Sequence, residues 1–222
     1  MHISDQGVGA DFLGNFFHHV SELFPQSNQA ERYRALSGEL LAFYDEFEVS
    51  DKLDFLTPNM IENKTGYKIR CSAAKCRALV PFAWKLAQEM LSEEDPVQSA
   101  IRQCAYHLHM VYSALSSATV SPSEIMREHN TKFALLYVSL HDILNVQGEN
   151  PKVWRIKPKL HLFLHVCSEG SIPARTWTYR DEDFGGSVAK AARRRGGLLR
   201  PQATSSKVLW CFVVQCPAVR VV

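Results

Sequence analysis

Apolar residues recur at intervals of three and four along most of the chain, which is the spacing of an amphipathic helix and differs from the alternation of a half-buried strand. Phe12, Phe16, Val20 and Leu23 predict a first helix over about 11–24, with Pro25 to close it. Asn28 followed by Glu31 has the form of a capping box, and Tyr33, Leu36, Leu40, Tyr44 and Phe47 then make one stripe. Residues 49–71 are polar and interrupted by Pro58 and Gly66, which predicts a loop with a short helix near 59–63. Ser72 is placed to cap a helix through Leu79, Phe82, Leu86 and Met90, in which Pro81 should cause a kink or a break.

Two helix starts are stronger still. Asp95-Pro96 joins a side-chain cap to a proline at the first helical position, and Ser121-Pro122-Ser123-Glu124 adds the Glu of a capping box. They open helices over 95–117 (Val97, Ile101, Ala105, Leu108, Tyr112, Leu115) and 122–147 (Ile125, His129, Phe133, Leu136, Leu140, Ile143/Leu144), expected to form a central antiparallel pair. Pro158 opens another helix through Leu160, Phe163 and Leu164, and a last one is expected from Arg180 to Arg195, ended by Gly196-Gly197. Beyond Leu198 the stretches Val208–Val214 and Ala218–Val222 are β-branched and nearly uncharged, so an edge strand or a disordered tail is expected there.

The fold expected is mainly α: an irregular bundle of about six or seven helices. Its parts are a helical insertion-like domain over 1–153, a basic helical element over 154–197 and a divergent tail over 198–222. The expected core comprises Phe12, Phe16, Leu40, Phe43, Phe82, Leu86, Ile101, Leu108, Phe133, Leu136, Leu140, Leu160 and Leu164.

Composition changes this picture little: 46% hydrophobic and 22% charged residues are ordinary for a globular chain. Charge changes it more. Residues 1–154 carry 13 Lys/Arg against 19 Asp/Glu (−6), whereas residues 155–200 carry 10 against 4 (+6), an asymmetry that fits either a solvated face or an anion-facing segment. Met1 to Val8 lacks the basic-then-apolar order of a secretory leader, and no apolar run approaches a membrane span. The six cysteines then read as reduced thiols of an intracellular protein.

Few residues suggest chemistry by themselves. His161 and His165, four apart, can place two imidazoles on one metal ion, but Leu162 stands where a zinc protease needs Glu, so the pair reads as a surface or core-edge feature. His107 and His109, two apart, diverge on a helix; Cys71 and Cys76 have no second pair at zinc-ribbon spacing, and no Cys sits in an identifiable activating environment. Phosphate-loop, dinucleotide and nucleophile-elbow motifs are missing from the sequence, which disfavours nucleotide binding and hydrolase chemistry. Lys190 and Arg193–Arg195 suit phosphate contact, or simply the negative end of a helix dipole.

Two segments carry a resemblance. Lys157-Pro158-Lys159-Leu160-His161, with His165 one turn on, resembles the KPKxHxxxH element near the C-terminal end of DDE-type transposases of the CACTA and Kyakuja-Dileera-Zisupton kind. Met1-His2-Ile3-Ser4-Asp5-Gln6-Gly7-Val8, continuing to Asp11-Phe12-Leu13-Gly14, resembles the element after the second catalytic Asp of those proteins, and multicopy mobile-element-derived proteins of dinoflagellate genomes are similar at both ends. The likeness spans roughly 1–197, with its specific residues in about 50 positions.

The resemblance implies an RNase H-like fold in which three carboxylates hold two divalent ions, Mg²⁺ or Mn²⁺, for phosphodiester displacement, and a nuclear location. Residue by residue, only Glu182 transfers as a catalytic and metal-binding acid, with Asp181 and Asp183 as poorer matches. Asp5 and Asp11 lie after the family's second Asp, which is expected just before the Met1-His2 pair. One carboxylate cannot fix a two-metal site, so Glu182 is expected to be vestigial and the isolated chain inactive and without a cofactor. DNA contact would fall to Lys157, Lys159, Arg180, Lys190, Arg193, Arg194 and Arg195. The rival expectations are a helical protein–protein module that associates with itself or a partner, and a nuclease whose Mg²⁺- or Mn²⁺-dependent cleavage is lost in Glu182→Ala.

Overall fold

The structure, a computed structural model, describes residues 3–116, 123–145 and 152–168. Among them the fold is mainly α, with seven α-helices and one two-stranded ladder. A π-helical turn, Ser4–Gly9, runs directly into α1 (Ala10–Ser21); α2 (Gln29–Glu46), α3 (Pro58–Ile61), β1 (Glu62–Asn63), β2 (Gly66–Tyr67), α4 (Ala73–Met90), α5 (Pro96–Ser116), α6 (Ser123–Leu144) and α7 (Pro158–Ser168) follow. The expected helix Arg180–Arg195, the Ser121-Pro122 start and the tail from Leu198 lie outside the described residues.

Local chemistry explains the starts. The Asn28 side chain accepts the Glu31 N–H at 2.8 Å, the Ser72 hydroxyl the Lys75 N–H at 3.3 Å, and Asp95 the Gln98 N–H at 2.8 Å. The ends are less regular. α1 stops at Ser21, short of Pro25, where the Ser21 hydroxyl donates back to the His18 carbonyl at 2.7 Å. Pro81 does not break α4, which runs unbroken from Ala73 to Met90. Val80, Phe82 and Ala83 on either side of it are all buried, and that packing outweighs the lost backbone bond.

α1 is the centre of the core: every residue from Gly7 to Phe17 is buried, as a helix apolar on nearly all sides requires. Phe12 stacks on Phe16, Phe16 meets Phe17 edge-on, and Phe17 packs on Phe82 of α4. Gly14 makes this closeness possible, because a Cβ there would run into the backbone of Lys68. Outside α1, α5 and α6 share the most extensive helix–helix contact. They are antiparallel, since Cys104 reaches Phe133 while His107, further along α5, reaches His129, earlier on α6.

Eleven of the thirteen expected core residues are buried; Leu136 and Leu164 are half-buried against the same cluster. The face of α6 needs correcting. Ile125, Ile143 and Leu144 are exposed, and Met126, Asn130 and Tyr137 turn inward with Phe133 and Leu140. α6 packs on both α5 and α7, so its buried surface is rotated toward α7. The polar stretch before α4 becomes α3 and the β1–β2 ladder, paired Glu62 to Tyr67 and Asn63 to Gly66. Gly66 has φ +139°, a conformation that requires glycine. No described helix is long and apolar enough to cross a membrane.

Candidate functional site

The two segments that carry the family resemblance fold against one another. Asp11, Phe12 and Asn15 lie on consecutive turns of α1, and 152–157 forms a strap that crosses them before α7 begins. Trp154 is 2% exposed; its indole meets Phe12 edge-on at 5.9 Å and Tyr137 of α6 at 5.4 Å. Its backbone N–H donates to Asn15 Oδ1 at 2.7 Å, while the Asn15 amide donates to the Asp11 carbonyl, also at 2.7 Å. Trp154 has φ +49°, the left-handed region, which costs a residue with a side chain about 1–2 kcal/mol. That conformation is held from both sides: Asn145 donates to the Val153 carbonyl at 3.0 Å and the Arg155 guanidinium to the Thr65 carbonyl at 2.8 Å.

Charge closes the strap. The Lys157 ammonium donates to Asp11 Oδ1 at 2.7 Å, and Lys68 stands 3.8 Å from the same oxygen. Lys68 also donates to the Gln6 carbonyl at 2.6 Å, so the π-helical turn, α1 and the strap share one polar network. α7 leaves the strap and packs on the π-helical turn and on α6, whose Asn130 donates to the Phe163 carbonyl at 2.8 Å.

Lys157, expected at DNA, is thus engaged by a buried carboxylate, and Lys159 sits half-buried on the first turn of α7. Glu182, Arg180, Lys190 and Arg193–Arg195 lie outside the described residues. Asp11 faces two ammonium groups, and no set of three His, Cys, Asp or Glu among the described residues is placed to hold a metal ion. These residues do not fit a divalent-ion site. His161 and His165 do meet, with Nε2 atoms 3.0 Å apart on the exposed side of α7.

Sequence reasoning missed one pair. His107 Nδ1 lies 2.8 Å from His129 Nδ1 between α5 and α6, so one ring donates to the other. His107 is pushed down to about 4, first by burial and then by the neighbouring His129. The signal was partial: His129 stands one turn before the buried Phe133, but Ile125, on the same expected stripe, is exposed.

Beside α7 runs an apolar groove of about 770 Å³, lined by Ala134, Leu135, Val138, Ile156, Leu160 and Leu164 with Arg127 and His161 at its rim. Leu135 and Ile156 on this groove are 65% and 47% exposed. No family model, curated protein or solved structure matches the chain.

Proposed function

We propose that this chain is a transposase-derived helical element, catalytically inactive by itself, that retains DNA binding through its basic C-terminal segment. What supports the reading is the meeting of Asp11 with Lys157, 146 positions apart in sequence. Residues from both ends of the DDE-transposase resemblance build one network, as two segments flanking a common catalytic centre would. The inactivity proposed is that of these 222 residues by themselves. Only Glu182 corresponds to a family acid, and Mg²⁺ or Mn²⁺ would need further carboxylates to be held in two-metal geometry.

Binding through Arg180, Lys190 and Arg193–Arg195 would be electrostatic and independent of DNA sequence. A gel-shift series on the full chain with duplex DNA tests it. Affinity should fall steeply with salt, and Arg193–Arg195→Ala should lower the log–log slope by about 3, roughly one for each arginine that no longer neutralises a phosphate. No shift at low salt, or an affinity indifferent to salt, would overturn the proposal.

The groove favours a second reading, a helical interaction module. An apolar surface between α6 and α7, with Leu135 and Ile156 exposed, suits an amphipathic helix from a partner or a second copy. Light scattering would then show a stable oligomer or complex in a protein that leaves DNA unshifted.

A further inference from the structure

The start of α4 brings two cysteines together through the geometry of its cap. Ser72 is the N-cap, so Cys71 is the residue before the cap and Cys76 the fourth residue of the helix. A chain entering a helix this way packs those two side chains against each other, a placement usually filled by apolar residues. Here both are free thiols: Cys71 half-buried at the margin of the core, Cys76 buried within it. The Cys76 sulfur also lies 2.8 Å from the Asp5 carbonyl oxygen of the π-helical turn, so its single proton goes either to that carbonyl or to the Cys71 sulfur.

The two sulfurs differ in character. Cys71 is held below the usual thiol range, chiefly by hydrogen bonding with the Cys76 thiol and also by the Lys75 ammonium, against the opposing effect of burial. Cys76 is pushed well above that range by its bond with Cys71 and by burial. The more accessible sulfur is therefore the nucleophile, and a protonated thiol waits beside it. Cys104 shows the inert case: fully buried between α5 and α6, it is raised by burial alone.

We propose that Cys71 and Cys76 form an oxidant-reactive dithiol, a covalent modification site that hydroperoxides close to an intramolecular disulfide. The Cys71 thiolate attacks one peroxide oxygen; an S–O bond forms, the O–O bond breaks and hydroxide leaves, or an alkoxide from an alkyl hydroperoxide. The Cys76 sulfur then attacks the Cys71 sulfenic acid. An S–S bond forms, the S–O bond breaks, and the departing oxygen takes up the Cys76 proton and leaves as water. Both thiols are oxidised and the peroxide is reduced. The bridge also removes the only proton that Cys76 can give the Asp5 carbonyl, so closing it takes away one polar contact between the π-helical turn and α4. This inference stands apart from the DNA-binding proposal, because it uses none of the basic residues.

The test treats the reduced, full-length chain with hydrogen peroxide under native conditions, alkylates the remaining thiols and digests with trypsin. Cleavage after Arg70, Lys75 and Arg77 puts the two cysteines on separate peptides, 71–75 and 76–77, so the bridge appears as one joined pair that reductant separates. The joined pair should be the main oxidation product of the folded chain and a minor one in urea. Cys71→Ser, at a half-buried position, should abolish it. Cys76→Ser should leave a Cys71 sulfenic acid that dimedone traps. Cys71 recovered unmodified or as sulfinic acid beside a free Cys76 would overturn the proposal, as would equal bridge yields from folded and unfolded chains. Amide exchange over Ser4–Gly9 should quicken on oxidation. An unchanged rate with the bridge formed would overturn the link to the π-helical turn.

Discussion

A carboxylate that is 7% exposed has lost most of its water, and at Asp11 two ammonium groups take the water's place. Removing one partner of a fully buried ion pair costs about 3–5 kcal/mol, because the other charge is stranded. Lys157 and Lys68 are 40% and 33% exposed, so either can regain water, and the cost here is smaller. Asp11→Asn should lower unfolding stability by about 1–3 kcal/mol, read as a shift in the urea midpoint with an unchanged slope. A midpoint that stays in place would mean that Trp154, with its apolar contacts and its bond to Asn15, holds the strap without the charge. The same pair bears on DNA contact: Lys157 can reach a phosphate only by leaving Asp11. Any loss of DNA affinity in Lys157→Ala must therefore be measured beside the variant's stability.

At the scale of elements, Pro81 makes the sharpest prediction. In the interior of α4 it removes the bond that an N–H would make to the Arg77 carbonyl, and its ring crowds that carbonyl. Alanine restores the bond without adding volume, so Pro81→Ala should raise stability by about 1–3 kcal/mol, seen as a higher urea midpoint. A lower midpoint would show that the ring's packing near Phe43 and Trp84 outweighs the helix penalty. The elements also show what the sequence could tell. Helix starts were legible at Asn28, Ser72 and Asp95, because capping joins residues three apart. Helix existence was legible too, because burial imposes its own period. The rotation of α6 was not, since it depends on α7 packing from the other side. The Trp154 strap was not legible, since the family element begins only at Lys157 and no local pattern announces that a backbone N–H will meet an Asn15 side chain 139 positions away. The acid and the arginines read from that resemblance, Glu182 and Arg193–Arg195, lie outside the described residues; the arginines' role rests on the salt dependence of DNA binding and on the arginine variants, and that of Glu182 on whether metal-dependent cleavage is seen and lost in Glu182→Ala.

For the molecule as a whole, one buried and three half-buried histidines bear on the response to acid. His18, His19, His107 and His109 all lie below the ordinary imidazole value, each chiefly through burial. His18 is stacked on Tyr67, and His107, only 8% exposed, is paired with His129 beside Lys132 and Glu128. Each therefore takes up a proton more readily in the unfolded chain, so stability rises with pH across the interval between the folded and unfolded values. For His107 that interval runs from about 4 up to 6.5. Its contribution is complete above 6.5 and is lost as pH falls toward 4. His107 alone should account for about 1–3 kcal/mol, and the other three act in the same direction. Urea unfolding at about pH 7.5 and about pH 5 should show a lower midpoint in acid, and His107→Gln should flatten the difference by removing the titrating ring while leaving His129 free to turn to solvent. Equal midpoints at the two pH values would mean that the helices part enough in acid to hydrate His107 at little cost, and the α5–α6 contact would then be looser than its packing indicates.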